Sequence, residues 1–123
     1  MEVIVATLIA TLTITALAYT FGTGRGLIDR YEIARVALGR AQGRIERLSV
    51  LPTSNADLSP GMHGPQPFVV NGTTLGNEAW RVDPMDDPVT PIVGGLRRVT
   101  VIVAWTSGGL RDTVRLDRVL LSY

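Results

Sequence analysis

Hydrophobic and polar positions divide the chain into three stretches that follow different rules. Met1 to Phe21 reads MEVIVATLIATLTITALAYTF, apolar on every side, with Glu2 as its one charge. As a helix it spans roughly 31 Å at 1.5 Å per residue, the thickness of a bilayer's hydrocarbon core. It contains no Pro or Gly. Its β-branched residues are no obstacle in lipid, where a helix is the only local way to satisfy the backbone. Thr7, Thr11 and Thr15 stand four apart, so each hydroxyl can bond the carbonyl one turn back. These features predict a membrane anchor. A cleaved signal peptide is the first alternative, but it wants a basic start and a shorter apolar run, and Ala16-Leu17-Ala18 is only a weak cleavage site. A buried core helix is the second.

The next stretch changes solvent without losing helical period. Gly22, Gly24 and Gly26 mark the change, as a helix end or a soft joint. Leu27, Tyr31, Ala34, Leu38, Ala41, Ile45 and Leu48 then recur at alternating spacings of four and three, which predicts one apolar stripe on an amphipathic helix. Arg25, Arg30, Arg35, Arg40, Arg44 and Arg47 fall mostly off the stripe and read as a solvated face, with a specific partner as the alternative, while Asp29, Glu32 and Glu46 are expected to pair locally with arginines three or four residues away. The stripe suits either a coiled-coil seam or packing on a sheet. Its two alanines favour the sheet, because small residues allow close approach. Pro52 ends the helix near Leu51.

The third stretch reads as strands. Pro52 to Pro67, rich in Pro, Ser, Asn and Gly, is expected to be a loop. Phe68-Val69-Val70 and Ala79-Trp80-Arg81-Val82 are short strand candidates around Asn71-Gly72, the strongest two-residue hairpin signal. Pro84 to Gly95 is a proline-rich excursion. From Arg98 to Ser107, Val99, Val101, Val103 and Trp105 alternate with Thr100, Ile102 and Ala104. Ser107-Gly108-Gly109 turns the chain, and Thr113 to Leu121 returns with Val114, Leu116 and Leu120 on one face and Val119 and Leu121 on the other. The expected fold is α+β. A long N-terminal helix, 1–22 in the membrane and 23–51 amphipathic, packs on a small antiparallel sheet formed by 52–123.

Composition adds mainly exclusions. The 123 residues suffice for one modest core, and the net charge of +1 offers no electrostatic case for nucleic acid. With no cysteine, disulfides, thiolate metal sites and cysteine nucleophiles are ruled out together. There is no catalytic motif, phosphate loop or cofactor fingerprint, so an enzyme is not expected. His63 stands alone in the loop. Asp83, Asp86 and Asp87 cluster in the proline-rich excursion, where three carboxylates are a weak candidate for calcium or simply a solvated turn. Glu2 is the costly residue of the apolar stretch. It either stays hydrated at the membrane surface or pairs with a cation from a neighbouring subunit.

Met1-Glu2-Val3-Ile4-Val5-Ala6-Thr7-Leu8-Ile9-Ala10-Thr11-Leu12 resembles the N-terminal segment of type IV pilins and type II secretion pseudopilins. Trp80-Arg81-Val82 and Leu96 to Trp105 resemble the minor pseudopilin of the I type or the minor pilin of the V type. The resemblance implies a precursor in which a glycine-ended leader and about three mature residues precede Met1. It also implies a prepilin peptidase acting on that precursor and N-terminal methylation. It places the protein in the inner membrane as a single-pass subunit with the C-terminal head in the periplasm. Its partners would be membrane lipid, the assembly platform and other pilin or pseudopilin subunits, whose N-terminal ammonium Glu2 would neutralise. Arg25 and Arg30, taken alone, argue for a cytoplasmic head, since positive charge marks the inner side; a basic leader reverses that balance. The rival expectation is a bitopic periplasmic binding or interaction protein that does not polymerise.

Overall fold

The computed structural model describes residues 1–85 and 95–121. The element order is α1 (Glu2–Ser49), a single 3-10 turn (Ala56–Leu58), β1 (Gly61–Val70), β2 (Thr73–Met85), β3 (Leu96–Ser107) and β4 (Leu110–Leu121). The expected α+β class is therefore the observed one. Gly22, Gly24 and Gly26 do not end α1. The chain divides into two compact units, Met1–Ile33 and Ala34–Tyr123.

In the first unit every residue is helical or exposed, and none is buried. Val3, Ile4, Leu8, Ile9, Leu12, Ile14, Leu17 and Phe21 all lie open. The threonines turn inward on the backbone. Thr11 donates to Thr7 O at 2.7 Å, Thr13 to Ile9 O at 2.8 Å, Thr15 to Thr11 O at 2.7 Å and Thr20 to Ala16 O at 2.9 Å. Thr7 makes the same bond to Val3 O. With Thr23, which donates to Tyr19 O at 2.7 Å, six methyl-bearing side chains hide their hydroxyls, and the outer surface of the segment is almost wholly hydrocarbon. Among the described residues α1 is the one helix long and apolar enough to cross a membrane.

In the second unit the C-terminal part of α1 covers one face of a four-stranded antiparallel meander in the order β1-β2-β3-β4. The core consists of Ala37, Ala41, Ile45 and Leu48 from the helix, Leu58 from the turn, and Phe68, Trp80, Val82, Val99, Val101, Val103 and Trp105 from the sheet. Alternation makes this face. Val82 lies opposite Val99, Trp80 opposite Val101 and Glu78 opposite Val103, so one side of β2 and β3 points to the helix. The β1–β2 and β3–β4 hairpins each turn on two residues with positive φ, Asn71 (50°) and Gly72 (79°) in the first, Gly108 (58°) and Gly109 (78°) in the second. That is the geometry whose twist matches antiparallel strands.

Two expectations need correction. The segment from Gly61 to Pro67 is strand, not loop. Its prolines are tolerated because β1 is an edge strand, and the pairing with β2 shifts register between His63 and Gln66 and again between Phe68 and Val69. The helix stripe is also displaced at one position. Ala41, Ile45 and Leu48 are buried and Ala34 is half-buried, but Leu38 is exposed and Ala37 takes its place. Successive residues stand about 100° apart around a helix, so the sheet that meets Ala37 and Ala41 leaves Leu38 at the margin of the contact. Leu27 and Tyr31 belong to the first unit, where both are exposed.

Candidate functional site

The most unusual chemistry lies inside the helix–sheet interface, at a residue that sequence reasoning passed over. Glu78 follows the inward register of β2 with Trp80 and Val82, so its carboxylate is delivered into the core and is fully buried. An unpaired carboxylate there would be prohibitive. Two arginines one turn apart on α1 meet it. Arg40 Nε donates to Glu78 Oε2 at 2.7 Å, and Arg44 Nε donates to Oε1. Arg44 Nη2 continues to Gln66 Oε1 on β1. The two guanidiniums differ in setting, since the Arg40 side chain is 51% exposed and that of Arg44 only 9%.

The Arg44 guanidinium also lies 4.6 Å from the centre of the Trp80 ring, a cation–π contact. His63, paired with Trp80 across the β1–β2 ladder, stacks on the same indole at 5.4 Å and 9°. Its Nε2 donates to the Ser59 carbonyl at 2.8 Å, and Trp80 Nε1 donates to the Asp57 carbonyl at 2.9 Å. Helix, edge strand, central strand and the 3-10 turn are therefore tied through one column of polar side chains. His63 serves this packing. Burial alone would raise the Glu78 carboxyl, but the hydrogen bonds from Arg44 and Arg40 and their positive charges outweigh it, and its pKa lies below the ordinary glutamate value.

This arrangement clamps one helix to one sheet in a fixed register; it contains no nucleophile–base pair. The reading of the arginines as a solvated face holds for Arg35 and Arg47, which are exposed, and fails for Arg44. A local signal was present. Gln42, Gly43, Ser49 and Val50 are the residues three and four from Glu46, so its expected local pairing fails; no acid stands three or four residues from Arg40, Arg44 or Arg47, and each needs a counter-charge from elsewhere or none.

The other sequence candidates stay apart from this cluster. Glu2 occupies the first turn of α1, exposed, where a carboxylate also suits the positive end of the helix dipole. Asp83 is half-buried on β2 and accepts from Arg81 Nε at 2.8 Å. Asp86 and Asp87 lie outside the described residues, so the calcium candidate has no geometry to judge. On the sheet's outer face, Thr100 donates to Asp117 and, with Arg115 beside it, holds that carboxyl below its usual range. The buried Trp105 Nε1 has no partner among the described residues. Compared with protein-family models, with curated proteins and with solved structures, the chain matches none.

Proposed function

We propose that this chain is a structural, pilin-like or pseudopilin subunit of a type II secretion or type IV pilus filament, anchored in the inner membrane and assembled from it with its head in the periplasm. The observation that carries the reading is the apolar part of α1. Over Met1 to Phe21 it exposes large hydrophobic side chains on all sides while hiding its threonine hydroxyls. Such a surface is stable only in lipid or against other apolar helices, and a filament subunit needs both in turn. The resemblance of Met1 to Leu12 to the pilin N-terminal segment names the class.

Glu2 is the residue on which assembly turns in this reading. A carboxylate among apolar helices is costly until a cation meets it, so pairing with the N-terminal ammonium of the adjacent subunit penalises every wrong axial register. The test expresses Glu2→Ala and Glu2→Gln beside the assembly machinery and measures membrane content and incorporation into sheared filaments. Both variants are expected to accumulate in the inner membrane with a folded head and to be lost from filaments. Normal incorporation of both would overturn the assembly role and leave the non-polymerising membrane protein as the better description.

A further inference from the structure

The face of α1 beside the Glu78 clamp carries more positive charge than the chain itself neutralises. Arg40 and Arg44 stand four apart and Arg44 and Arg47 three apart, spacings at which like charges repel across a helix surface. Among the described residues Glu78 is the one carboxylate that meets them, through Arg40 and Arg44. Three cations less one anion leave an excess of two positive charges. Donor hydrogens are in surplus too. Arg40 is held through Nε, so the hydrogens on its terminal nitrogens remain for another acceptor. Arg47 is exposed, and its helical neighbours Gly43, Arg44, Val50 and Leu51 carry no negative charge.

These side chains stand around an opening. Gly39, Arg40, Gly43, Arg44 and Arg47 line a groove of about 230 Å³. A Cβ at Gly39 or Gly43 would meet nothing within 4 Å, so packing inside the chain does not require glycine at either place. Both lie well inside α1, where glycine is less favourable than alanine. Glycine keeps the groove open, since a larger side chain at either position would occupy it. Arg44 gives the groove a fixed wall, because its side chain is only 9% exposed and is pinned by Glu78, Gln66 and Trp80. Arg40 and Arg47 reach into water and can adjust onto a bound group. One guanidinium held in place and two that adjust suit a small anion with several acceptor oxygens.

We propose that the arginine-walled groove at Gly39 and Gly43 binds a phosphate group, as inorganic phosphate or a phosphate monoester. Charge selects this ligand. A carboxylate brings one negative charge and leaves the cluster cationic, whereas a phosphate monoester carries about −1.5 to −2 at neutral pH and matches the excess. Hydrogen bonding selects it as well, because guanidinium forks meet phosphate oxygens through paired, charge-assisted bonds. Bound phosphate relieves the repulsion among the arginines and leaves Arg40 Nε on Glu78, so the ligand stabilises the folded head. All of the groove's residues belong to the second unit, and the site does not depend on the assembly reading above. A soluble phosphate and the headgroup of phosphatidic acid share this chemistry, and the test separates them.

The full chain in maltoside micelles is titrated with inorganic phosphate at constant ionic strength, with chloride as the control. Calorimetry and thermal unfolding report the result. Saturable binding and a rise in Tm are expected with phosphate, and neither with chloride. Gly43→Leu fills the groove and improves helix propensity, so it should melt at or above the temperature of the unmodified chain and lose phosphate binding. Arg47→Gln should weaken binding roughly tenfold and leave the acid limb set by Glu78 unchanged. In phosphatidylcholine nanodiscs, a Tm rise caused by added phosphatidic acid and absent from Gly43→Leu identifies a lipid headgroup as the source. A response to free phosphate alone identifies a soluble one. No saturable response to either form, an equal response to chloride, or full binding by either variant would overturn the site.

Discussion

Replacing Glu78 by Gln removes one charge from the interface at almost constant volume, and its cost can be reasoned from the two arginines. The neutral amide can accept from one guanidinium, but its NH₂ then faces the Nε–H of the other, donor against donor. Arg40, with half its side chain in water, can swing away at little cost. Arg44 cannot, because its side chain is only 9% exposed and is pinned by Gln66 and Trp80. Breaking a buried pair from one side costs about 3–5 kcal/mol, mostly from the charge left behind. We expect Glu78→Gln to cost about 3 kcal/mol, a fall in Tm of roughly 12–24 °C for a domain of this size. Arg40→Ala should cost less than about 1 kcal/mol, and Arg44→Ala about as much as Glu78→Gln, since it also forfeits the indole contact. The assay is thermal unfolding of the full chain in detergent micelles, followed by tryptophan fluorescence. The same carboxyl sets a pH dependence. Its folded-state pKa lies below the unfolded value, so its stabilisation is complete above about pH 4.3 and is lost as pH falls from there through the folded value. Glu78→Gln should flatten that acid limb. Equal losses for Arg40→Ala and Arg44→Ala, or an unchanged acid limb in Glu78→Gln, would refute the picture of a desolvated clamp.

Three further substitutions probe the packing around it. Ala41→Leu inserts bulk at a fully buried position of α1 and should cost about 1–3 kcal/mol in chemical denaturation. Gly76→Ala would place a Cβ 2.6 Å from Trp105 Cα and against the Ala104 carbonyl, so β2 and β3 must separate; a loss of about 3 kcal/mol and weakened amide protection on both strands are expected. Trp80→Phe keeps most of the buried area but leaves the Asp57 carbonyl without its donor, and should cost about 1 kcal/mol, with faster exchange of the 3-10 turn amides.

What the chain declares locally could be read from it, and what depends on distant residues could not. The apolar stretch to Phe21, the two positive-φ hairpins and the alternation of Val99, Val101, Val103 and Trp105 follow from an unbroken run of apolar residues, glycine and asparagine at the turns, and a period of two. Each involves neighbours in sequence, so each was legible. The end of the first strand, Phe68 to Val70, was legible, but its Gly61 to Pro67 part was not, because prolines argue against strand unless the strand lies at an edge, and edge position is a property of the sheet's order. The stripe was legible in kind and displaced at Leu38, because the line of contact on α1 is chosen by the sheet beneath it. Glu78 shows the limit most clearly. Its alternation with Trp80 and Val82 was visible, yet a buried carboxylate is tolerable only because arginines 38 and 34 positions earlier in the chain reach it. Short-range pattern determined which segments are apolar and with what period. The tertiary structure alone decided which charge could leave water, because the desolvation of a carboxylate is offset only by partners that folding brings within hydrogen-bonding distance.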